Sequence, residues 1–180
     1  MVKLMKFVVL TAVLCCSLTP ITAIYWGDWG KVEKCPKNQV AVGFSLKTER
    51  EQGAGDDSAL NSVSLKCAGG TWIYSTEGPK GIWGKNFMCA EGSWLTSCKL
   101  RVQSKQGASH DDSSANNLNC KCSDGVTLNG DGLSNGKWLD WKSTCPDGII
   151  GIQTRVEANQ GEGDDSALND VSFTCAVATD

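Results

Sequence analysis

The sequence feature that most constrains the fold is an internal repeat. Residues 43–67 align without a gap to residues 151–175, and 14 of these 25 positions are identical. A third, weaker copy lies between them and ends at Cys122. A unit of about 55 residues that occurs three times predicts three equivalent structural units around a common core, because one short unit cannot cover its own apolar face.

Each copy consists of two strand-like segments separated by a loop rich in Gly, Asp, Ser and Asn. Hydrophobic residues alternate in these segments, as in Val63-x-Leu65-x-Cys67, and this period of two predicts strands with one buried face. No segment shows a convincing helical period. Copies one and two continue into a further strand-like stretch, which the last copy lacks. We expect residues 24–26 to fill that place, so that three sheets, one per copy, close around an axis without an open edge.

The N-terminal residues predict a secretory signal peptide. Lys3 and Lys6 precede an apolar run of about ten residues, too short to span a bilayer, and small residues lead to Ala23. An N-terminal membrane anchor is the alternative. We assign residues 1–23 to the signal peptide and residues 24–180 to one secreted, extracellular domain without membrane insertion. The repeats cover about residues 26–79, 80–135 and 136–180.

The charge balance argues against nucleic acid as a partner. The chain contains 17 basic and 20 acidic residues, and two of the basic residues leave with the signal peptide. A mildly acidic chain whose sequence contains no basic cluster lacks the electrostatic pattern of a nucleic-acid-binding protein.

The cysteines predict four disulfides. Two of the ten cysteines lie in the signal peptide, and an even remainder in an oxidising compartment is typical of a disulfide framework. Alignment of the copies pairs the cysteine after each opening tryptophan with the cysteine that ends the last strand, and the remaining two replace an apolar core contact. The predicted bridges are Cys35–Cys67, Cys89–Cys122, Cys145–Cys175 and Cys98–Cys120. Zinc and calcium are the rival interpretations, but one His, no Cys-x-x-Cys pair and no EF-hand spacing lead us to expect no metal and no cofactor.

These motifs together resemble one known family. A Trp-Gly-x-Trp start, a Gly-Asp-Asp-Ser-Ala-Leu-Asn loop, three copies and eight cysteines are similar to the vitelline membrane outer layer protein I family, over essentially the whole mature chain. The resemblance implies a β-prism of three Greek-key antiparallel sheets with internal pseudo-three-fold symmetry. It also implies a secreted protein of an extracellular coat and, as an alternative, glycosyl transfer on N-acetylchito-oligosaccharides.

Three aspartate pairs in the repeated loops are the sharpest candidates for a site. Carboxylates accept hydrogen bonds from sugar hydroxyls, and two converging carboxyl groups can perform acid–base chemistry on a glycosidic bond. The structural alternative is that an Asp in a Gly-rich turn binds backbone N–H groups. Neighbours in an extended segment point to opposite sides, so a catalytic pair would join an Asp to a glutamate of the loop or to another copy. The predicted glycan-binding residues are Asp56, Asp57, Asp111, Asp112, Asp164, Asp165, Gln52, Gln106 and Gln160, and the catalytic candidates are Asp57, Asp112, Asp165, Glu49 and Glu157.

The tryptophans and the predicted fold complete the functional hypothesis. Five of the seven tryptophans recur with the repeat, which predicts a shared packing role in the core, and stacking of their faces on sugar rings is the alternative. They are Trp26, Trp29, Trp83, Trp138 and Trp141. The favoured function is a non-catalytic matrix or secretion component that binds glycans or glycoproteins of an extracellular coat. The alternatives are an enzyme acting on amino-sugar oligosaccharides and a secreted defence or inhibitory protein.

Overall fold

The computed structural model describes residues 27–50, 58–103, 115–142, 144–158 and 167–177, and every regular element in these ranges is a β-strand. Six strands of eight residues pair as three hairpins, and short strands flank them. The strands are β1 (Asp28–Trp29), β2 (Glu33–Lys34), β3 (Ala41–Thr48), β4 (Leu60–Cys67), β5 (Trp72–Tyr74), β6 (Ile82–Trp83), β7 (Phe87–Met88), β8 (Leu95–Val102), β9 (Ala115–Cys122), β10 (Thr127–Asn129), β11 (Lys137–Trp138), β12 (Ile149–Val156) and β13 (Leu168–Cys175).

The hairpins are the centres of three antiparallel sheets. The first sheet has the order β5-β4-β3-β6, with β7 also paired to β3, and the second has the order β10-β9-β8-β11. In both, three consecutive strands are followed by a fourth that returns beside the first, which is a Greek key. The third sheet contains β12 and β13, and both β1 and β2 pair with β12. The fold is therefore the expected all-β prism of antiparallel sheets.

The three hairpins have the same register. Each contains seven paired positions with a register shift near both ends. The central core pair is equivalent in the three: Phe44–Leu65, Cys98–Cys120 and Ile152–Phe173. Equal register places the repeated loops at the same end of each hairpin, because every loop follows the last residue of the first long strand.

Each sheet is completed by the opening segment of the following copy. Ile82–Trp83 opens the second copy but pairs with β3 of the first, and Lys137–Trp138 opens the third copy but pairs with β8 of the second. Asp28–Trp29, in the first copy, pairs with β12 of the last. The expectation of one sheet per copy is therefore wrong in this respect. Every sheet combines strands of two copies, and the chain closes as a ring.

The first copy adds strands to the third sheet at β12. Both β1 and β2 pair with β12. The expectation that residues 24–26 supply the missing third strand of the last hairpin stays a prediction. Those three residues lie outside the described ranges. Among the described residues, β13 has a neighbour on one side only. The third sheet therefore receives strands from another copy beside β12, as the other two sheets do beside β3 and β8.

A glycine before each opening strand permits this exchange. Gly27, Gly81 and Gly136 have φ angles of +80°, +80° and +79°. A Cβ atom at these positions would lie 2.4, 2.6 and 2.1 Å from the backbone at the ends of β12, β3 and β8, respectively. Only glycine combines this backbone conformation with so close an approach. The Gly-x-Trp tripeptide is thus a steric requirement for adding a strand from the next copy.

The apolar faces of the three sheets meet in a single core. Fully buried side chains come from all of them, including Phe44, Leu46, Leu65, Leu100, Leu118 and Ile152. Burial of one such side chain stabilises the fold by about 1.5–3 kcal/mol. Thr154 occupies the position of Leu46 in the third sheet, and its hydroxyl donates a hydrogen bond of 2.6 Å to the carbonyl of Thr76. The buried hydroxyl is therefore satisfied and links two sheets.

All four predicted disulfides are confirmed. They are Cys35–Cys67, Cys89–Cys122, Cys98–Cys120 and Cys145–Cys175. The bridge from Cys35 connects two sheets, since its backbone N–H donates to Ile150 in β12 while Cys67 ends β4. Cys89 and Cys145 are held in the same way against the first and second sheets, so three bridges link the sheets in a ring. The remaining bridge joins directly paired residues of β8 and β9, where the other hairpins have the apolar pairs.

The prediction that the recurring tryptophans pack in the core is wrong for those that the structure describes. Trp29 and Trp83 are 42% and 40% exposed, and Trp138 and Trp141 are half-buried. Trp26 lies outside the described ranges. The reason is the register, since each Trp of an opening strand lies opposite a basic residue of the neighbouring strand, on the outer face of the sheet. Recurrence here reflects the repeated edge strand and not the core.

Candidate functional site

The repeated loops contain most of the predicted site residues, and only two of those residues fall within the described ranges. These two are Glu49 and Glu157, at the start of the first and third loops. The residues outside the described ranges are Gln52, Asp56, Asp57, Gln106, Asp111, Asp112, Gln160, Asp164 and Asp165. Their roles in glycan binding or catalysis stay predictions, whereas the bases of the loops can be analysed directly.

Glu49 closes the base of the first loop. Its backbone N–H donates to the carbonyl of Ala59 at 2.7 Å. Its Oε2 atom accepts hydrogen bonds from the backbone N–H and the hydroxyl of Ser58, at 3.1 and 2.7 Å. Lys80 Nζ lies 3.8 Å from the same oxygen, and the glutamate side chain is only 10% exposed. Because protein donors surround this oxygen, the geometry at Glu49 favours a carboxylate that holds the loop closed.

The third copy has the same backbone closure. The N–H of Glu157 donates to the carbonyl of Ala167 at 2.9 Å. The corresponding alanine of the first loop, Ala59, is buried and has a φ of +50°, a left-handed conformation that is uncommon outside glycine and asparagine. The first loop therefore returns to its sheet through a strained residue that the surrounding contacts hold in place.

A buried asparagine supports the loop base, and nothing in the sequence assigned it this role. Asn61, Asn116 and Asn169 occupy equivalent positions at the start of the second hairpin strand, and all are fully buried. Asn61 Nδ2 donates to the Ser58 hydroxyl at 2.9 Å, and Asn61 Oδ1 accepts from the backbone N–H of Lys80 at 3.2 Å. The sequence signal for this role was an asparagine that recurs inside an apolar strand pattern. Such a residue indicates a structural role, because a buried amide is retained only when its hydrogen-bond partners are present.

A cleft of about 420 Å³ lies at the base of the first loop. It is bounded on one side by the end of β3 and the edge strand β6, and on the other by the segment that follows β10. Its lining residues are Thr48, Arg50, Ile82, Gly84, Asp131, Gly132, Leu133 and Ser134. A volume of this size is within the range of small-ligand sites, about 300–1,000 Å³.

The cleft combines charged, hydroxyl and apolar groups. Arg50 and Asp131 supply opposite charges, and Asp131 Oδ2 accepts a hydrogen bond of 3.4 Å from the backbone N–H of Lys85. A Cβ on Gly84 would lie 3.1 Å from Asp131 Oδ1, so the glycine leaves room for the carboxylate. Ile82, which is 73% exposed, provides an apolar surface. Such a set of groups can bind a small ring that has hydroxyl groups at its rim and C–H groups on its faces.

The outer faces of the sheets present exposed aromatic rings. Tyr74 of β5 and Trp83 of β6 are 48% and 40% exposed, with ring centroids 6.1 Å apart. They belong to strands at opposite edges of the first sheet, where Tyr74 pairs with Ser64 and Trp83 pairs with Lys47. On the second sheet, Trp138 and Trp141 contact basic side chains. Exposed aromatic rings next to polar groups are typical of binding surfaces.

The described residues show neither a membrane-spanning helix nor a metal cluster. No helix in these ranges has the length and hydropathy to cross a bilayer. In the same ranges, no group of three or more His, Cys, Asp or Glu side chains is placed to hold a metal ion.

Sequence comparison decides the family. The family model described as vitelline membrane outer layer protein I matches residues 19–178. The chain belongs to the vitelline membrane outer layer protein I family. A human relative named vitelline membrane outer layer protein 1 homolog is 43% identical over 157 residues, which cover 83% of this chain and 77% of the relative. Membership of the vitelline membrane outer layer protein I family confirms the resemblance drawn from the repeat, the loop motif and the cysteines.

Solved structures that resemble this member of the vitelline membrane outer layer protein I family include lectins. A prostate-specific WGA16 glycoprotein lectin has a TM-score of 0.54 and 12% identity, with 86% of this chain and 94% of the lectin covered. The Calsepa lectin in complex with bisected glycan has a TM-score of 0.56 and 11% identity, covering 87% and 94%. At these identities the likeness shows a shared fold.

Proposed function

We propose that this protein is a secreted component of an extracellular coat that binds glycans or glycoproteins without modifying them. The signal-peptide pattern at the N-terminus and four disulfides in a small domain support secretion, since such frameworks are typical of oxidising compartments. Family membership supports a role in a coat like that of the egg. The covalent ring of sheets suits a protein that has to persist outside the cell.

The cleft at the base of the first loop is the observation that carries the binding function. Arg50 and Asp131 can donate to and accept from sugar hydroxyls, while Ile82 can contact the apolar face of a pyranose ring. The loop that begins at this cleft contains the predicted glycan-binding residues of the first copy. The Calsepa lectin, which shares the fold, has been solved with a bisected glycan, and this supports glycans as the ligand class.

A binding role is favoured over catalysis because of the geometry at Glu49. Glycoside chemistry needs two carboxyl groups that converge on one bond, roughly 5–9 Å apart. Glu49 was a candidate for one of them, but its Oε2 atom is occupied by donors from Ser58 and Lys80. A carboxylate used to close the loop is poorly placed to exchange protons with a substrate.

Glycan-array binding of the secreted protein tests the proposal. We expect selective binding of amino-sugar glycans, reduced roughly tenfold or more by Asp131→Asn or by Arg50→Gln, because each removes a charged hydrogen-bonding group. Asp124→Asn is the matched control, since Asp124 is exposed in the turn at the other end of the second hairpin and binds the N–H of Val126. Equal losses in all three variants, or no glycan binding at all, would contradict the proposal.

Product analysis distinguishes binding from turnover. The protein is incubated with N-acetylchito-oligosaccharides, and chain lengths are followed by mass spectrometry. Unchanged chain lengths are expected. New chain lengths that disappear in Asp57→Asn or Asp165→Asn would overturn the non-catalytic role and support the glycosyl-transfer alternative.

A further inference from the structure

We propose that the outer face of the second sheet is a separate binding surface for sulfated glycans. The surface consists of Lys99, Arg101, Lys121, Trp138 and Trp141, and we call it the basic tryptophan face. Lys99 Nζ lies 5.1 Å from the ring centroid of Trp138 and 4.8 Å from that of Trp141. Lys121 Nζ lies 4.3 Å from Trp141, and the guanidinium carbon of Arg101 lies 5.7 Å from Trp138. Three cations therefore lie around two indole rings.

The strand register brings these cations together. Lys99 and Arg101 are two residues apart on β8, so they point to the same side of the sheet and are separated by about 7 Å. Lys121 of β9 pairs with Ser97, which is two residues before Lys99 on that same side. Trp138 of β11 pairs with Arg101. All of these side chains are half-buried, and their charged ends lie on the outer face, away from the core.

The charge of the basic tryptophan face is not neutralised by the described part of the protein. The ion pairs in this part of the chain join Lys47 to Glu77, Lys80 to Glu49 and Lys142 to Asp170. Within the same ranges, Lys99, Arg101 and Lys121 form no ion pair. Arg101 Nε instead donates to the carbonyl of Gly136 at 3.2 Å. A chain with more acidic than basic residues thus concentrates three positive charges at one place, and such a concentration attracts an anionic ligand.

The fold itself does not require these cations. The position of Lys99 is Ser45 in the first sheet and Gln153 in the third, and the position of Lys121 is Thr174 in the third. The first sheet retains Lys47 at the Arg101 position, but Glu77 lies 3.0 Å from it. The equivalent hairpins therefore form without a cation at the Lys99 position, and among the described residues only the second sheet has cations at all three positions, whereas the first has Lys47 and Lys66 and the third has Arg155.

Sulfated sugars match the chemistry of the basic tryptophan face. A sulfate group keeps its charge at every physiological pH and has three oxygen atoms that accept hydrogen bonds, while each lysine has three N–H donors. The indole rings hold the ammonium groups close to the sheet and offer apolar edges to the C–H faces of a sugar. Nucleic acid is a less suitable ligand, because its much larger negative charge is repelled by a chain that is acidic as a whole.

The test compares binding of a sulfated heparin oligosaccharide with binding of the same oligosaccharide after removal of its sulfate groups. The double variant Lys99→Gln with Lys121→Thr introduces residues that the third sheet has at these positions, so we expect it to fold. Its affinity for the sulfated probe should fall roughly ten- to thirtyfold at moderate salt. Binding by the unmodified protein should weaken as the salt concentration rises.

Lys66→Thr is the matched control. Lys66 is the first-sheet equivalent of Lys121, and its Nζ lies 5.1 Å from the Trp72 ring. An equal loss in Lys66→Thr, full affinity in the double variant, or equal binding of the desulfated or a sialylated oligosaccharide would overturn the proposal. The double variant, and not Asp131→Asn in the cleft, should abolish the preference for the sulfated over the desulfated probe, so failure of the cleft proposal and failure of this one give different results.

Discussion

Replacing Gly136 by alanine tests whether strand exchange depends on glycine. Gly136 has a φ of +79°, and a Cβ would lie 2.1 Å from the carbonyl oxygen of Val102 at the end of β8. Alanine in this conformation costs about 1–2 kcal/mol. The clash is with backbone, so β11 also has to move and lose pairing with β8, at about 0.5–1.5 kcal/mol per hydrogen bond. We expect a total loss of about 3 kcal/mol in the free energy of unfolding.

Gly92 provides the matched control for this prediction. It has the same φ of +79°, but a Cβ there would meet no atom within 4 Å. Gly92→Ala should therefore cost only the conformational part, about 1–2 kcal/mol. The measurement is guanidinium unfolding with disulfides intact, followed by tryptophan fluorescence. In thermal unfolding, each kcal/mol should lower Tm by about 2–4 °C for a chain of this size. Equal destabilisation of the two variants would show that the contact with β8 is unimportant and refute the reasoning.

Three other predictions use the same unfolding assay. Asn61→Ala should cost about 1–3 kcal/mol, because it removes the acceptor for the partly buried backbone amide of Lys80 and the donor to the Ser58 hydroxyl, and a loss below about 0.5 kcal/mol would contradict the role given to Asn61. Replacing Cys98 and Cys120 together by alanine should cost about 3 kcal/mol through the lost cross-link, with unchanged far-UV circular dichroism, and a change in strand content would disprove local replacement. Lys142→Met should cost at most about 1 kcal/mol, since the 2.8 Å ion pair with Asp170 is partly exposed, and this loss should shrink at high salt.

The long strands could be predicted from sequence because each has enough residues to show alternation. Leu60–Cys67 has buried apolar side chains at every second position from Val63 onward. The equivalent positions of the second copy are buried as well, and in the third copy Val171 is buried while Phe173 and Cys175 are partly buried. Two-residue strands such as Glu33–Lys34 and Phe87–Met88 have no period to detect, and they exist because a neighbouring strand pairs with them. Strand exchange between copies was missed for the same reason, since it depends on these short segments.

The binding surfaces were harder to predict than the fold. The basic tryptophan face joins Lys99 to Lys121 and Trp141, which are far apart in sequence and meet only through the register of β8 and β9. The sequence contains no linear cluster of basic residues that would indicate this surface. The cleft has the same origin, because Arg50 and Asp131 come from different copies. When only the tertiary structure brings the residues of a site together, the sequence contains no local pattern from which the site can be predicted.

Strand exchange also explains why disulfides within one copy link different sheets. Between Cys35 and Cys67 the chain passes from the edge of the third sheet into the first, so a bridge between them spans two sheets. The opening strands β6 and β11 follow β5 and β10 directly and are held by chain on both sides. In the described ranges β1 follows no other strand, and β1 and β2 each contact β12 through two residue pairs. The Cys35–Cys67 bridge therefore links the third sheet to the first covalently, and backbone hydrogen bonds from Gly30 and Cys35 to β12 hold the same segment in place.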